Sequence, residues 1–281
     1  MKAAQFEYVR PATLVEALQT LAQSGGQAKL MAGSQSLGPM LNLRLARPAQ
    51  VLDVSNLSEL RDVTLTEGRL RLGACVTHAE LEDGRFERLR GHPVQEMAAR
   101  IAYRSVRNRG TLGGSLAHAD PAADWILAAT ALEAQVEVCA DEQAPRLIPM
   151  RDFMLAAYTT VLAEHDIITA LHIPQMTSAA RWGYYKFCRK TGEFAEASCA
   201  AYFEPATGTA QIVVGALDGA PVALNELAAH VAQSGVSVAS DAAIDAALKT
   251  SIAQLDVLGR RMAATAVKRC LEQAFGLRVA A

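Results

Sequence analysis

An α+β chain of two domains is what this sequence predicts, and three observations carry that expectation. Short apolar strands alternate with helical patterns over residues 1–176. Three strand-like runs then follow one another with only turn residues between them. From about Ala223 onward the chain is rich in alanine and leucine at helical spacing. We place the boundary at 176: a first domain 1–176, with subdomains of about 1–56 and 57–176, and a second domain 177–281.

The elements can be justified in order. Thr13-Leu-Val-Glu16 has the form of a capping box, in which hydroxyl and carboxylate satisfy helix N-terminal amides reciprocally. Leu14, Ala17, Leu18 and Leu21 follow at helical spacing, and Gly25-Gly26 ends the run. Lys29 to Ala32 reads as a short buried strand, 36–45 as a helical turn carrying Leu37, Met40 and Leu41 inward, and Gln50 to Val54 as a strand. Strands are also expected at 70–74, 135–139, 146–149 and 166–174. Helices are expected from Thr77-His78, over 94–101 and over 124–134. In the second domain 183–187, 197–203 and 210–217 read as three strands, with Gly208 and Asp218-Gly219 as turns, and 241–248 and 259–275 as helices.

Composition removes several function classes. Half of the 281 residues are apolar, enough for a substantial core, and the net charge of −2 argues against non-specific nucleic-acid binding. Aromatic residues are sparse and not interleaved with basic ones. No apolar run is long enough to cross a bilayer, and the N-terminus lacks a signal-peptide core, so a cytoplasmic location without membrane insertion is expected. Cys75, Cys139, Cys188, Cys199 and Cys270 form no C-x-x-C pair, and the histidines form no ligand pattern, so no metal is assigned to this chain.

Two glycine-serine segments point to a ligand. Ala32-Gly33-Ser34-Gln35-Ser36 follows a strand, and Thr111-Leu112-Gly113-Gly114-Ser115 lies inside the longer run Arg107 to Asp124. Backbone without Cβ atoms can turn sharply and present successive N–H groups to an anion. Two such loops can clasp a pyrophosphate from two sides, which suggests a dinucleotide. Neither segment has the G-x-G-x-x-G or Walker pattern, so a Rossmann or P-loop site is not supported.

The whole run from Arg107 to Asp124 resembles the second flavin loop of the FAD-binding medium subunit of molybdenum hydroxylases. That family includes the carbon monoxide dehydrogenase and xanthine dehydrogenase flavin subunits. Ala32 to Leu37 with 41–54 resembles the family's first flavin loop and its sequel. Tyr185-Lys-Phe-Cys-Arg-Lys-Thr-Gly-Glu-Phe-Ala195 resembles its third signature. The resemblance implies the two-subdomain FAD-binding fold of the vanillyl-alcohol oxidase (PCMH) type, followed by a domain with a three-stranded antiparallel sheet and a helical bundle. It implies FAD in this chain, held by Ala32 to Ser36 and Thr111 to Ser115, with contacts from Asp124, Ile168, Lys186 and Phe194. Lys186 would favour reduced, anionic flavin and Phe194 would cover one face of the isoalloxazine. Asp120 and His118 receive no catalytic role.

Two departures stand out. Glu193 keeps the charge of the family's usual aspartate. Ser34 stands where the family usually has glycine: a positive φ there would strain serine, whereas a need only for a small side chain would gain a hydroxyl, and the second reading is preferred. The resemblance further implies an electron-transfer subunit that works with a large molybdopterin-binding subunit and a small [2Fe–2S] subunit, as a dimer of heterotrimers. A self-contained flavin oxidase or reductase and a non-catalytic nucleotide-binding regulatory module are the alternatives.

Overall fold

The computed structural model describes residues 2–141 and 144–277. The first fifty residues build a small parallel unit. Strand β1 (Glu7–Val9), helix α1 (Leu14–Gln23), strand β2 (Ala28–Met31), helix α2 (Leu37–Asn42) and strand β3 (Gln50–Asp53) follow in order. β3 lies between β1 and β2, parallel to both. Ala17, Leu18 and Leu21 bury one face of α1, as their spacing predicts. The capping arrangement differs in one detail: Thr13 Oγ1 accepts from the Glu16 amide, but the Glu16 carboxylate takes the N–H of Ala12, one residue before the position a reciprocal box requires. On α2 only Leu41 is fully buried; Leu37 and Met40 are half-buried.

The second unit is an antiparallel sheet in the order β4-β5-β10-β6-β7. β4 (Val63–Thr66) and β5 (Arg69–Gly73) form a hairpin turned at Glu67-Gly68, both at positive φ. Helices α3 (His78–Glu82), α4 (Pro93–Ala99), α5 (Arg104–Arg107), α6 (Leu112–His118) and α7 (Asp124–Ala131) follow, then β6 (Gln135–Cys139) and β7 (Arg146–Pro149). Thr77 and Glu80 complete the capping box that starts α3. Helix α8 (Met150–Phe153) leads to the hairpin of β8 (Met154–Ala156) and β9 (Thr159–Thr160), and β10 (Ile167–Pro174) returns to the centre of the sheet. Apart from Asp124 at its start, α7 is apolar all round, with only Thr130 half-buried, because it lies between two sheets.

The last unit is a sheet in the order β11-β12-β13-β14: β11 (Arg181–Phe187), β12 (Ala197–Glu204), β13 (Thr209–Gly215) and β14 (Val222–Ala223). The expected three strands are therefore joined by a fourth, two residues long and too short to show a period. Every residue of β12 is buried. Ala200 and Tyr202 join the core around α7, while Cys199, Ala201 and Phe203 face helices α9 (Asn225–Ser234), α10 (Asp241–Ser251) and α11 (Val257–Ala274). This sheet is thus covered on both faces, one by the middle unit and one by its own helices. α11 lies so close to β11 that a Cβ on Gly183 would sit 2.0 Å from the Cys270 carbonyl oxygen. No helix among the described residues is long and apolar enough to cross a membrane.

Candidate flavin site

The two glycine segments meet. β2 delivers Ala32 to Ser36 to the surface of the parallel unit, and Gly33 rests against the backbone of Arg109 and Gly110. A Cβ on Gly33 would lie 1.9 Å from the Arg109 carbonyl oxygen and 3.0 Å from the Gly110 Cα. No side chain fits there, so glycine is required by close approach of two backbones.

Ser34 stands at φ 60. This corrects the preferred reading that the position needs only a small side chain: the turn needs a left-handed residue, and serine adopts that conformation at a cost. Its hydroxyl lies over Gly38, where a Cβ would approach Ser34 Oγ to 2.9 Å. Gln35 is exposed and donates from Nε2 to the Gly33 carbonyl at 3.2 Å, bracing the loop. Ser36 begins α2 without a side-chain capping bond. The amides of Ser34, Gln35 and Ser36 donate to no carbonyl among the described residues.

The second segment differs from the expected open loop. Thr111 is the N-cap of α6, and its hydroxyl accepts from the Gly114 amide at 3.1 Å. The amides of Leu112 and Gly113 donate to Val76 and Ala74 at 3.0 and 2.8 Å, and that of Ser115 to Thr111 at 3.0 Å. All four N–H groups from 112 to 115 are therefore committed within the protein. Gly113 is glycine for packing, since a Cβ would lie 2.6 Å from that of Ala74. Gly114 is different: its exposed face meets only Thr111 Oγ1, at 2.8 Å from a Cβ placed there. Gly114 and the half-buried Ser115 are what this segment leaves open to a ligand.

Beneath the segment lies a histidine that the sequence did not single out. His78 is buried, its amide donates to the Gly110 carbonyl at 3.0 Å, and its Nδ1 accepts from Trp125 Nε1 at 3.2 Å. Its ring supports Gly110, where a Cβ would come within 3.0 Å of Cδ2. Burial, with a smaller contribution from the Arg107 charge, pushes its pKa down to about 4.

Asp124, Lys186 and Tyr184 form one buried cluster. Lys186 Nζ donates to both Asp124 oxygens at 2.9 and 3.2 Å and to the Arg100 carbonyl at 3.1 Å. Tyr184 hydroxyl donates to Asp124, and burial followed by the Asp124 charge holds that phenol protonated well above its ordinary range. Two residues singled out separately thus bind each other across the join between α7 and β11. Tyr184 was not singled out; it lies two residues before Lys186, on the same face of the strand.

Ile168 is buried in β10 beside a register shift in its pairing with β6, and its side chain belongs to the core around α7. Phe194 is 65% exposed, so it is not a core residue. It stands on the loop after β11, which is anchored on the first domain: Gly192, at φ 92, lies against the Tyr103 ring, within 2.7 Å of a Cβ built there.

Two outcomes follow from this geometry. Ser34→Gly removes the left-handed strain while freeing the unfolded chain, and is expected to stabilise the protein by about 0.5–1 kcal/mol in urea titrations. An unchanged or lower stability would show that the serine hydroxyl compensates for the strain. The second outcome concerns pH. The unfolded chain protonates at histidine near pH 6.5, but folded His78 resists protonation until about pH 4, so its contribution is complete above about 6.5 and is lost as pH falls toward 4. His92, also pushed down to about 4 by burial, acts in the same sense. Unfolding free energy should therefore fall with acidification across this window, and His78→Gln should make the fall shallower. An identical slope in the variant would mean that His78 titrates normally.

Comparisons with known proteins identify the family. Residues 4–176 match the family described as FAD binding domain in molybdopterin dehydrogenase. The chain is 34% identical over 248 residues to the carbon monoxide dehydrogenase medium chain of Hydrogenophaga pseudoflava, covering 85% of this chain and 86% of that one. It is 36% identical over 222 residues to the nicotine 6-hydroxylase medium subunit of Paenarthrobacter nicotinovorans, covering 78% and 76%. Among solved structures, quinoline 2-oxidoreductase from Pseudomonas putida 86 matches with a TM-score of 0.87 at 30% identity over 99% of each chain. The chain belongs to the FAD-binding family of the molybdopterin dehydrogenases and is an oxidoreductase subunit of the medium-chain kind.

Proposed function

We propose that this chain is the FAD-carrying electron-transfer subunit of a molybdenum hydroxylase complex. It would receive electrons from the [2Fe–2S] clusters of a small subunit and deliver them to a terminal acceptor, while a large molybdopterin-binding subunit oxidises the substrate. We further propose a cytoplasmic dimer of heterotrimers, with the domains bounded at 1–176 and 177–281 and the first of PCMH type. The observation that carries the reading is the backbone contact of Gly33 with Arg109 and Gly110, which brings the loop bearing the uncommitted amides of Ser34 to Ser36 against the start of the segment that leaves Gly114 and Ser115 open.

These residues fit an FAD pyrophosphate. Backbone amides and hydroxyls meet phosphate without a mobile side chain, and the Gly33 cradle keeps the two loops in register. FAD, when bound, supplies the exchange between single-electron donors and two-electron acceptors. Lys186 has its charge largely offset by Asp124, so its influence on the flavin is weaker than that of a free cation. Phe194, exposed on its anchored loop, is free to cover a ring face or a partner surface.

The test uses the purified chain loaded with FAD. Gly114→Val should sharply lower flavin per chain with far-ultraviolet circular dichroism unchanged, because the branched side chain fills the exposed face above Thr111. The reduced small subunit should reduce the flavin of the wild-type chain, whereas organic substrates alone should not. Flavin reduction by an organic substrate in the isolated chain would establish a self-contained oxidase or reductase instead.

A further inference from the structure

Away from the glycine loops, one cavity has a charge pattern of its own. Its volume is about 770 Å³, and it opens where the 88–93 turn, the 175–180 connection after β10 and the start of β11 meet. Arg88, Arg90 and Arg181 line it together with His92, and no carboxylate is among its lining residues. Several other arginines are committed to acids: Arg61 to Glu80, Arg71 to Glu137, Arg104 to Asp83 and Arg107 to Glu82. Arg88, Arg90 and Arg181 make no ion pair among the described residues.

Two of these side chains are already positioned. Arg90 Nε donates to the Gly84 carbonyl at 3.1 Å, leaving its terminal nitrogens uncommitted. The Arg181 guanidinium lies 5.2 Å from the centroid of the Phe275 ring, a contact that orients its plane without using an N–H. His92 Nδ1 accepts from the Val94 amide at 3.3 Å, which puts the proton of the neutral ring on Nε2. That Nε2 is buried and faces the Pro174 carbonyl, outside ideal hydrogen-bonding geometry. Trp182, Pro93 and Met176 supply an apolar wall beside the cations.

Three exposed guanidinium groups line this cavity with no carboxylate among its lining residues, and a ligand with several negative oxygens supplies the missing counter-charge through forked hydrogen bonds. A flat ring is the natural occupant of a wall that includes an indole. The volume falls within the range of small-molecule sites. We propose that this cavity binds a small polyanion bearing a planar ring, of the nucleotide class, with its phosphates on Arg88, Arg90 and Arg181 and its ring against Trp182. The proposal is independent of the flavin reading, because it uses none of the residues assigned to FAD.

The flavin-loaded chain is titrated with ADP, pyrophosphate and adenosine in separate experiments, followed by calorimetry and tryptophan fluorescence, with flavin absorbance recorded throughout. ADP should bind saturably without displacing flavin, pyrophosphate more weakly, and adenosine more weakly still. Arg90→Ala combined with Arg181→Ala should weaken ADP binding at least tenfold while flavin content and melting temperature stay close to wild type. Trp182→Leu should weaken ADP but leave pyrophosphate unchanged. Absence of saturable ADP binding, or equal affinity in the arginine double variant, overturns the proposal. Equal affinities for ADP and pyrophosphate overturn the ring contact.

Discussion

The contact between Gly33 and the Arg109 carbonyl is the constraint on which the rest of the site depends. It joins the parallel unit to the antiparallel unit through backbone alone, leaving no room for a side chain. Each partner is held from behind. Gly110 rests on the His78 ring, itself fixed by Trp125 in α7, and Gly113 is pinned to Ala74 at the end of β5. A shift in either unit therefore changes the spacing of the two loops, and that spacing must match a ligand spanning both. Precision comes here from packed backbone on regular elements rather than from long side chains.

A second tie attaches the C-terminal unit. Asp124 starts α7, and Lys186 and Tyr184 reach it from β11, so a charge pair and a phenol are buried where the last sheet meets the middle unit. Such a pair adds little net stability once desolvation is counted, but removing one partner leaves an unpaired buried charge. Its effect is to fix one docking of β11, and with it the loop that carries Phe194 and leans on Tyr103. The third signature is thus tied to the middle unit through Asp124, Arg100 and Tyr103.

Much of this was legible in the sequence. The run of alternating and apolar segments gave the strands and helices because burial imposes a period on them, and Gly33 and Gly113 marked real close approaches. What escaped detection had weak local signals. β1 is three residues long, β14 is two, and the β4–β5 hairpin turns on Glu67-Gly68, a pair in which only the glycine announces a positive φ. The second glycine segment looked like an open loop because glycine depresses helix propensity; its amides are in fact committed to α6 and to the chain after β5. His78 and Tyr184 were missed because their roles depend on partners 47 and 60 residues away, a distance no local pattern spans. Ser34 was misjudged because a single polar residue in a short loop does not announce a left-handed φ, which the structure places there.

The central claim is that backbone contact between the loops sets the flavin site. The most direct test is the FAD dissociation constant of Gly33→Ala, measured with circular dichroism and thermal unfolding on the same sample. One methyl group must push Arg109 and Gly110 away from Ser34 to Ser36, because it cannot lie 1.9 Å from a carbonyl oxygen. The account predicts retained secondary structure with flavin affinity reduced at least tenfold. Wild-type affinity in a folded Gly33→Ala protein would contradict it, since the loops would then hold their ligand without the contact that aligns them.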